Sequence, residues 1–209
     1  EGGSGLGQAA VDLCSHFDLA RADGMNPCKP QVRYANDLAE AYGLGDRIQH
    51  RVSDASEAVQ DFEPGTFTHG MAMECIGVFP DPDAFLRAMH AQLPSGGRMA
   101  FTVVTSPHNA PRLQTWSGKL FFGVGTLPGE RWVERLEEAG FVDVRRQDIT
   151  QEVFTPMLKV VRERIRNDPE LLVQVGPLLR WAVMLLLNRS EKGVSKGQMG
   201  YELLVGTRP

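Results

Sequence analysis

The first residues read Glu1-Gly2-Gly3-Ser4-Gly5-Leu6-Gly7, followed by Gln8-Ala9-Ala10-Val11-Asp12-Leu13, and this stretch decides the fold. Glycines at 2, 3, 5 and 7 make a turn whose backbone reaches left-handed angles and lets a ligand come close. Ala9, Ala10, Leu13 and Phe17 then recur at helical spacing, so the turn runs straight into a helix over 8–17. A domain rarely begins on a bare glycine turn, and a strand cut short just before Glu1 is expected. Working outward, strand candidates lie at 19–25, 48–52, 67–73, 98–104, 141–149 and 201–206. Helical patterns lie at 30–42 (Val32, Ala35, Leu38, Ala39 and Tyr42 on one face), at 82–93 and at 131–139. Pro30 suits a first helical turn, and Gly140 suits the position just past a helix end. Strand and helix alternate, which predicts a doubly wound α/β sheet. Residues 151–196 break the rhythm with helical periods and no strand, and read as an inserted helical cap. The expected organisation is therefore an α/β core at 1–150, the cap at 151–196, and a final strand at 197–209 that returns to the core.

Composition bounds the rest. The chain has 209 residues, 42% hydrophobic and 23% charged, enough for a buried core and ordinary for a globular domain. Lys and Arg total 22 against 26 Asp and Glu, so nothing electrostatic points to nucleic acid as a partner. Cys14, Cys28 and Cys75 are odd in number and widely spaced, with no CxxC pair. That argues against a zinc site or a disulfide framework and for a reducing, cytoplasmic setting. The longest apolar run, 178–187, is interrupted by Arg180 and falls short of the roughly 20 residues a membrane span needs. No metal ligand set is apparent, and no phosphate loop, HExxH or GxSxG pattern occurs.

The glycine turn alone does not choose its ligand. Residues 5–10 satisfy a GxGxxA dinucleotide pattern, and Glu1-x-Gly3-x-Gly5-x-Gly7 fits an acidic-start glycine loop for a different nucleoside cofactor. The segments downstream decide: GMNPCKPQVRYAN at 24–36, DRIQHRVSDA at 46–55, MECIGVFPDPDAFLR at 73–87, LPSGGRMAF at 93–101, LEEAGFVDV at 136–144 and GYELLVGTRP at 200–209. In this order, with the first loop, they resemble the class I S-adenosylmethionine (SAM)-dependent methyltransferases, in the branch acting on sterols, tocopherols, macrolide sugars and isoprenoids. The resemblance implies a Rossmann-like, mostly parallel seven-stranded sheet with its first strand truncated. It also implies SAM as cofactor and S-adenosylhomocysteine as product.

The same resemblance assigns roles. Gly3 and Gly5 would line the amino-acid end of the cofactor, and Glu1 would accept from its ammonium. Asn26 takes the place of the acid that holds the ribose hydroxyls, with Asp23 as fallback, and an amide can both accept and donate there. Gln31, Asp54, the Ala55 amide and Met73 complete the cofactor set. Each has a structural alternative: the glycines as a tight turn, Asn26 as a turn residue before Pro27, Asp54 as a helix N-cap.

Catalysis needs a base for an alcohol acceptor, or a stabilised cation and a proton acceptor for carbon. Glu74, just after the 67–73 strand, is the first candidate, with a cap or ion pair as its alternative. Relatives often carry a His four residues after this acid, but Val78 stands here, which favours carbon transfer or a proximity-driven reaction. His108, past the 98–104 strand, is the replacement base. His69 reads as structural, and His16, His50 and His90 read as surface positions. Leu120-Phe121-Phe122, Met157-Leu158 and the 178–187 run, with Trp116 and Trp181, would wall a pocket for a lipophilic small molecule, pack the cap, or form a homodimer contact. The expectation is methyl transfer to oxygen or carbon of such a molecule in specialised metabolism, without membrane insertion. The rivals are a non-methylating cyclase or isomerase on the same fold, a non-catalytic SAM-binding protein, and an NAD-dependent oxidoreductase.

Overall fold

The computed structural model describes residues 1–17, 19–107 and 126–209. The chain forms two compact units, one of Glu1–Val103, Val133–Arg145 and Leu204–Pro209, the other of Val104–Trp132 and Arg146–Leu203. In chain order the elements are α1 (Gln8–His16), β1 (Ala22–Asn26), α2 (Lys29–Ala41), β2 (Ile48–Val52), the single turn α3 (Ala55–Ala58), β3 (His69–Met73), α4 (Pro82–Gln92) and β4 (Arg98–Thr105). After them come α5 (Gly129–Glu138), β5 (Val142–Asp148), α6 (Thr155–Asn167), α7 (Pro169–Ser195) and β6 (Gly200–Thr207).

β1 and β2 pair in parallel, Ala22 opposite Ile48 through Asn26 opposite Val52. β3 and β4 also pair in parallel, His69 opposite Arg98 through Met73 opposite Thr102. The four-stranded sheet has the order β3-β4-β6-β5. β6 runs against β4, because the Gly96 amide donates to the Arg208 carbonyl at 2.9 Å while the Arg208 amide donates to Gly97 at 2.8 Å. The expected single seven-stranded, mostly parallel sheet is thus corrected. Among the described residues there are six strands, in sheets of two and four, and the larger sheet is mixed. The physical reason lies at Glu1–Gly3. This segment makes one isolated bridge, Gly2 opposite Met25, and the Gly2 amide donates to the Met71 carbonyl at 2.9 Å. It ties β1 to β3 but is too short to count as a strand.

Helices cover this layer because their apolar stripes match it. Ala10, Val11 and Cys14 of α1 and Ala39 of α2 bury against Ile48 of β2, with Leu19 and Ala22 packed alongside. β1 starts at Ala22, later than its sequence pattern suggests. α4 buries Phe85, Leu86 and Met89, spaced for one helical face. Each of these large side chains contributes roughly 1.5–3 kcal/mol by leaving water.

The second unit has its own core of Phe154, Leu158, Ile165, Leu187 and Tyr201. Phe154 and Tyr201 stack with ring centroids 5.7 Å apart and planes 13° from parallel. A π-helical turn at Thr150–Phe154 leads into α6, and Arg162 of α6 reaches Asn188 and Glu191 of α7 at 2.9 and 2.8 Å. α7 is broken at Gly176 (φ 64°), ahead of Pro177, whose missing N–H cannot continue the helical ladder.

α4 starts at Asp81, whose Oδ1 accepts from the Ala84 amide at 2.8 Å, with Pro82 in the first turn. Asp81→Ala should lower the stability to urea unfolding by about 1 kcal/mol without changing the slope of the transition.

Candidate functional site

The glycine loop is held from both sides in the first unit. The Met25 carbonyl accepts from the Gly3 and Ser4 amides at 2.8 and 3.0 Å, the Met25 amide donates to Glu1, and the Gly7 amide closes back onto the Ser4 carbonyl at 2.9 Å. Gly3, Gly5 and Gly7 all have positive φ, at 69°, 53° and 80°. Their surroundings differ. A Cβ on Gly3 would lie 2.6 Å from Cys75 Cβ and Sγ, and one on Gly7 2.7 Å from Ala35 Cβ. A Cβ on Gly5 would meet nothing within 4 Å. Gly3 and Gly7 are therefore glycines for packing, whereas Gly5 faces open space, as a glycine approached by a ligand must.

Asn26 draws the candidate residues together. It is buried, its Nδ2 donates to the Gly5 carbonyl at 3.3 Å and to Gln31 Oε1 at 2.9 Å, and its Oδ1 accepts from the Cys28 amide at 2.9 Å. Both donors are spent within the protein, which leaves the second lone pair of Oδ1 for a ligand hydroxyl. Asp23, the fallback, is consumed elsewhere. Its carboxylate, 2% exposed, is gripped by both Nε and Nη2 of Arg21 and lies 3.5 Å from Arg51. Asp54 precedes α3, and Ala55 is buried where a Cβ on Gly2 would lie 3.2 Å from its own.

Glu1 and Glu74 are the acids flanking the loop and β3. Glu1 Oε2 is buried without a hydrogen-bond partner among the described residues. Burial pushes its carboxyl above the usual carboxylate range. A cationic group of a ligand would satisfy such a carboxylate. Met73 is 40% exposed at the carboxyl end of β3. Glu74 follows with φ 59°, and its amide donates to the buried Thr102 Oγ1 at 3.0 Å. A left-handed non-glycine residue stores roughly 1–3 kcal/mol, and such strain collects at functional positions. Cys75 donates from Sγ to the Gly2 carbonyl at 2.9 Å, and burial pushes its thiol up to about 12. It is inert packing under the loop. His108 lies outside the described residues, as do Trp116 and Leu120-Phe121-Phe122.

His50, read as a surface position, is corrected. It is 3% exposed, and its Nδ1 lies 3.0 Å from Ser4 Oγ. The signal was present in the sequence: Ile48 and His50 share one face of a strand by its period of two, and Ile48 is plainly a core residue. Ser4 was missed because nothing local marks a serine between glycines as buried.

The second unit has a cavity of about 370 Å³ bounded by Thr105, Ser106, Asp148, Thr150, Gly200 and Glu202, among others. Its wall is more polar than the lipophilic expectation suggests. In the 178–187 run, Leu187 joins the core, while Leu178, Leu179 and Trp181 are 79%, 56% and 64% exposed. Packing against Phe154, Leu158 and Tyr201 therefore explains the end of that run and leaves its beginning exposed.

A glycine loop bonded to β1 and β3 and leading into α1 is the arrangement in which α/β domains bind nucleotides and nucleosides. Residues 3–146 match the family model described as a methyltransferase domain, and the chain belongs to that family, which draws the transferred methyl from SAM. It is 26% identical to tocopherol O-methyltransferase of Arabidopsis thaliana over 97% of its own length and 56% of the relative's. It is 25% identical to erythromycin 3''-O-methyltransferase of Saccharopolyspora erythraea, over 79% of this chain and 57% of that one. The chain thus spans a little over half the length of these curated relatives. A solved phosphoethanolamine N-methyltransferase 2 of Haemonchus contortus, in complex with S-adenosylhomocysteine, shares the fold at a TM-score of 0.84 and 22% identity. That match covers 99% of this chain and 47% of the other.

The glycine environments make a direct prediction. Gly3→Ala should cost stability twice over, through its positive φ and through collision with Cys75, whereas Gly5→Ala bears only the backbone strain. Thermal unfolding should place Gly3→Ala clearly below Gly5→Ala. Equal melting temperatures would show that Gly3 is not packed against Cys75.

Proposed function

We propose that the protein transfers a methyl group from SAM to an oxygen or carbon atom of a lipophilic small molecule. The observation that carries the reading is Gly5: a left-handed glycine, open on its Cβ side, whose carbonyl is tied to Asn26 and through it to Gln31. Glu1, Gly3, Gly5, Asn26, Gln31, Asp54, Ala55 and Met73 would hold the cofactor. The orphaned carboxylate oxygen of Glu1 and the unfilled space at Gly5 fit its charged amino-acid end. When bound, SAM supplies an electrophilic methyl group on a sulfonium.

The chain's own task is to bind the acceptor in line, exclude water and take a proton. Glu74 is the base or cation stabiliser in this reading. Its strained backbone, pinned by Thr102 at the end of β3, fixes where the carboxylate starts from. His108 is the second candidate base. Lipophilic acceptors are supported by the names of the tocopherol and erythromycin relatives and by the exposed Leu178, Leu179 and Trp181. The same exposed residues suit a homodimer contact. No helix among the described residues is long and apolar enough to cross a membrane. Cys14, Cys28 and Cys75 are all free thiols, which suits a reducing, cytoplasmic setting.

Calorimetric titration with SAM, S-adenosylhomocysteine and NADH tests the cofactor, and labelled SAM with a panel of lipophilic acceptors tests the reaction. Micromolar binding of the first two, lost on Asp54→Ala, is expected; binding of NADH alone would sink the reading. On a productive acceptor, Glu74→Gln should lower kcat by roughly 100-fold with little change in KM for SAM. Undiminished turnover would remove Glu74 from the mechanism.

A further inference from the structure

His50 occupies a slot that only glycines leave open. A Cβ on Gly24 would lie 2.1 Å from its Nδ1, and one on Gly7 2.9 Å from its Nε2. Its backbone is fixed from α2: Asn36 Oδ1 accepts from the His50 amide at 2.8 Å, and Asn36 Nδ2 donates to the His50 carbonyl at 3.0 Å. The ring is thereby fixed from behind and presents Nδ1 to Ser4 Oγ at 3.0 Å. Ser4 sits between Gly3 and Gly5, its amide on Met25 and its carbonyl receiving Gly7. The loop otherwise consists largely of glycine, so it holds few side-chain constraints of its own, and Ser4 supplies one.

We propose that His50 is a positioning residue for the cofactor: its neutral ring, hydrogen-bonded to Ser4, holds the glycine loop in the conformation that leaves Gly5 open. The proposal rests on the reading of this loop as the SAM site. Nε2 is buried with no partner among the described residues, a tolerable state for a lone pair and a costly one for the N–H of an imidazolium. Burial lowers the ring's affinity for a proton, and Asp23 on β1 opposes it. The residues presented by α2, Ala35 and Asn36, are uncharged. The folded ring therefore titrates below the ordinary histidine value. The loop's support is complete above that value and is lost as the pH falls through the lowered one.

The test measures S-adenosylhomocysteine dissociation constants by calorimetry between pH 5 and 8 for the wild type, Ser4→Ala, His50→Ala and His50→Asn. The wild type should bind more weakly as the pH falls. Ser4→Ala should weaken binding roughly three- to tenfold at neutral pH, the range of one lost hydrogen bond. His50→Asn, which offers an amide near the Nδ1 position and cannot titrate, should restore most of the affinity lost in His50→Ala and flatten the pH profile. If His50→Ala fails to fold, Ser4→Ala decides, because it removes one hydroxyl and nothing else. Wild-type affinity and an unchanged pH profile in Ser4→Ala would overturn the proposal. Failure of the wild type to bind at any pH would overturn the cofactor reading and the proposal with it.

Discussion

Two amides, those of Gly3 and Ser4, converge on the single carbonyl of Met25, while the preceding residue, Gly2, hangs from Met71 of β3. A backbone so tied cannot carry side chains at its points of closest approach. Phe85 ring carbons fill the Cβ direction of Gly2 at 2.7 Å, Cys75 that of Gly3, and Ala35 that of Gly7. Gly5 is left as the one glycine of the loop with open space beside it. The site is thus defined by where packing stops.

The two polar residues of β1 show how one strand serves two ends. Asn26 lies at the carboxyl end, where the loop and the start of α2 meet, and spends its amide holding Gly5 and Gln31. Asp23 lies near the amino end and is neutralised by Arg21 and Arg51, whose guanidinium also sits 4.7 Å from the Phe62 ring centroid. A buried carboxylate needs such partners, since leaving it unpaired would cost several kcal/mol. The sequence offers Asn26 as the ribose ligand with Asp23 as fallback. Position along the strand separates them, because ligands of open α/β sheets gather at the carboxyl ends.

The second unit illustrates a different limit. Apolar periodicity in 151–196 predicts helices, the structure has α6 and α7 there, and Phe154, Leu158 and Leu187 form a core with Tyr201. Periodicity says that a residue belongs to an apolar face, and it is silent on whether anything covers that face. Leu178 and Trp181 lie on the same helix as Leu187, yet they stay exposed. The break at Gly176 and Pro177 sits just before them, and the helix restarts there in a new direction.

The sequence by itself determined the alternation of strands and helices, the glycine loop, and the family to which the chain belongs, because these rest on local periodicity and on short ordered motifs. It also carried the inward position of His50, two residues from Ile48 on one strand face. Tertiary structure alone decided which glycines are packed against neighbours and which has open space beside it. It decided that Asn26 rather than Asp23 stands at the loop, and that His50 meets Ser4 across 46 residues of chain. Those outcomes depend on the distances between strands brought together by folding, and no local pattern encodes them.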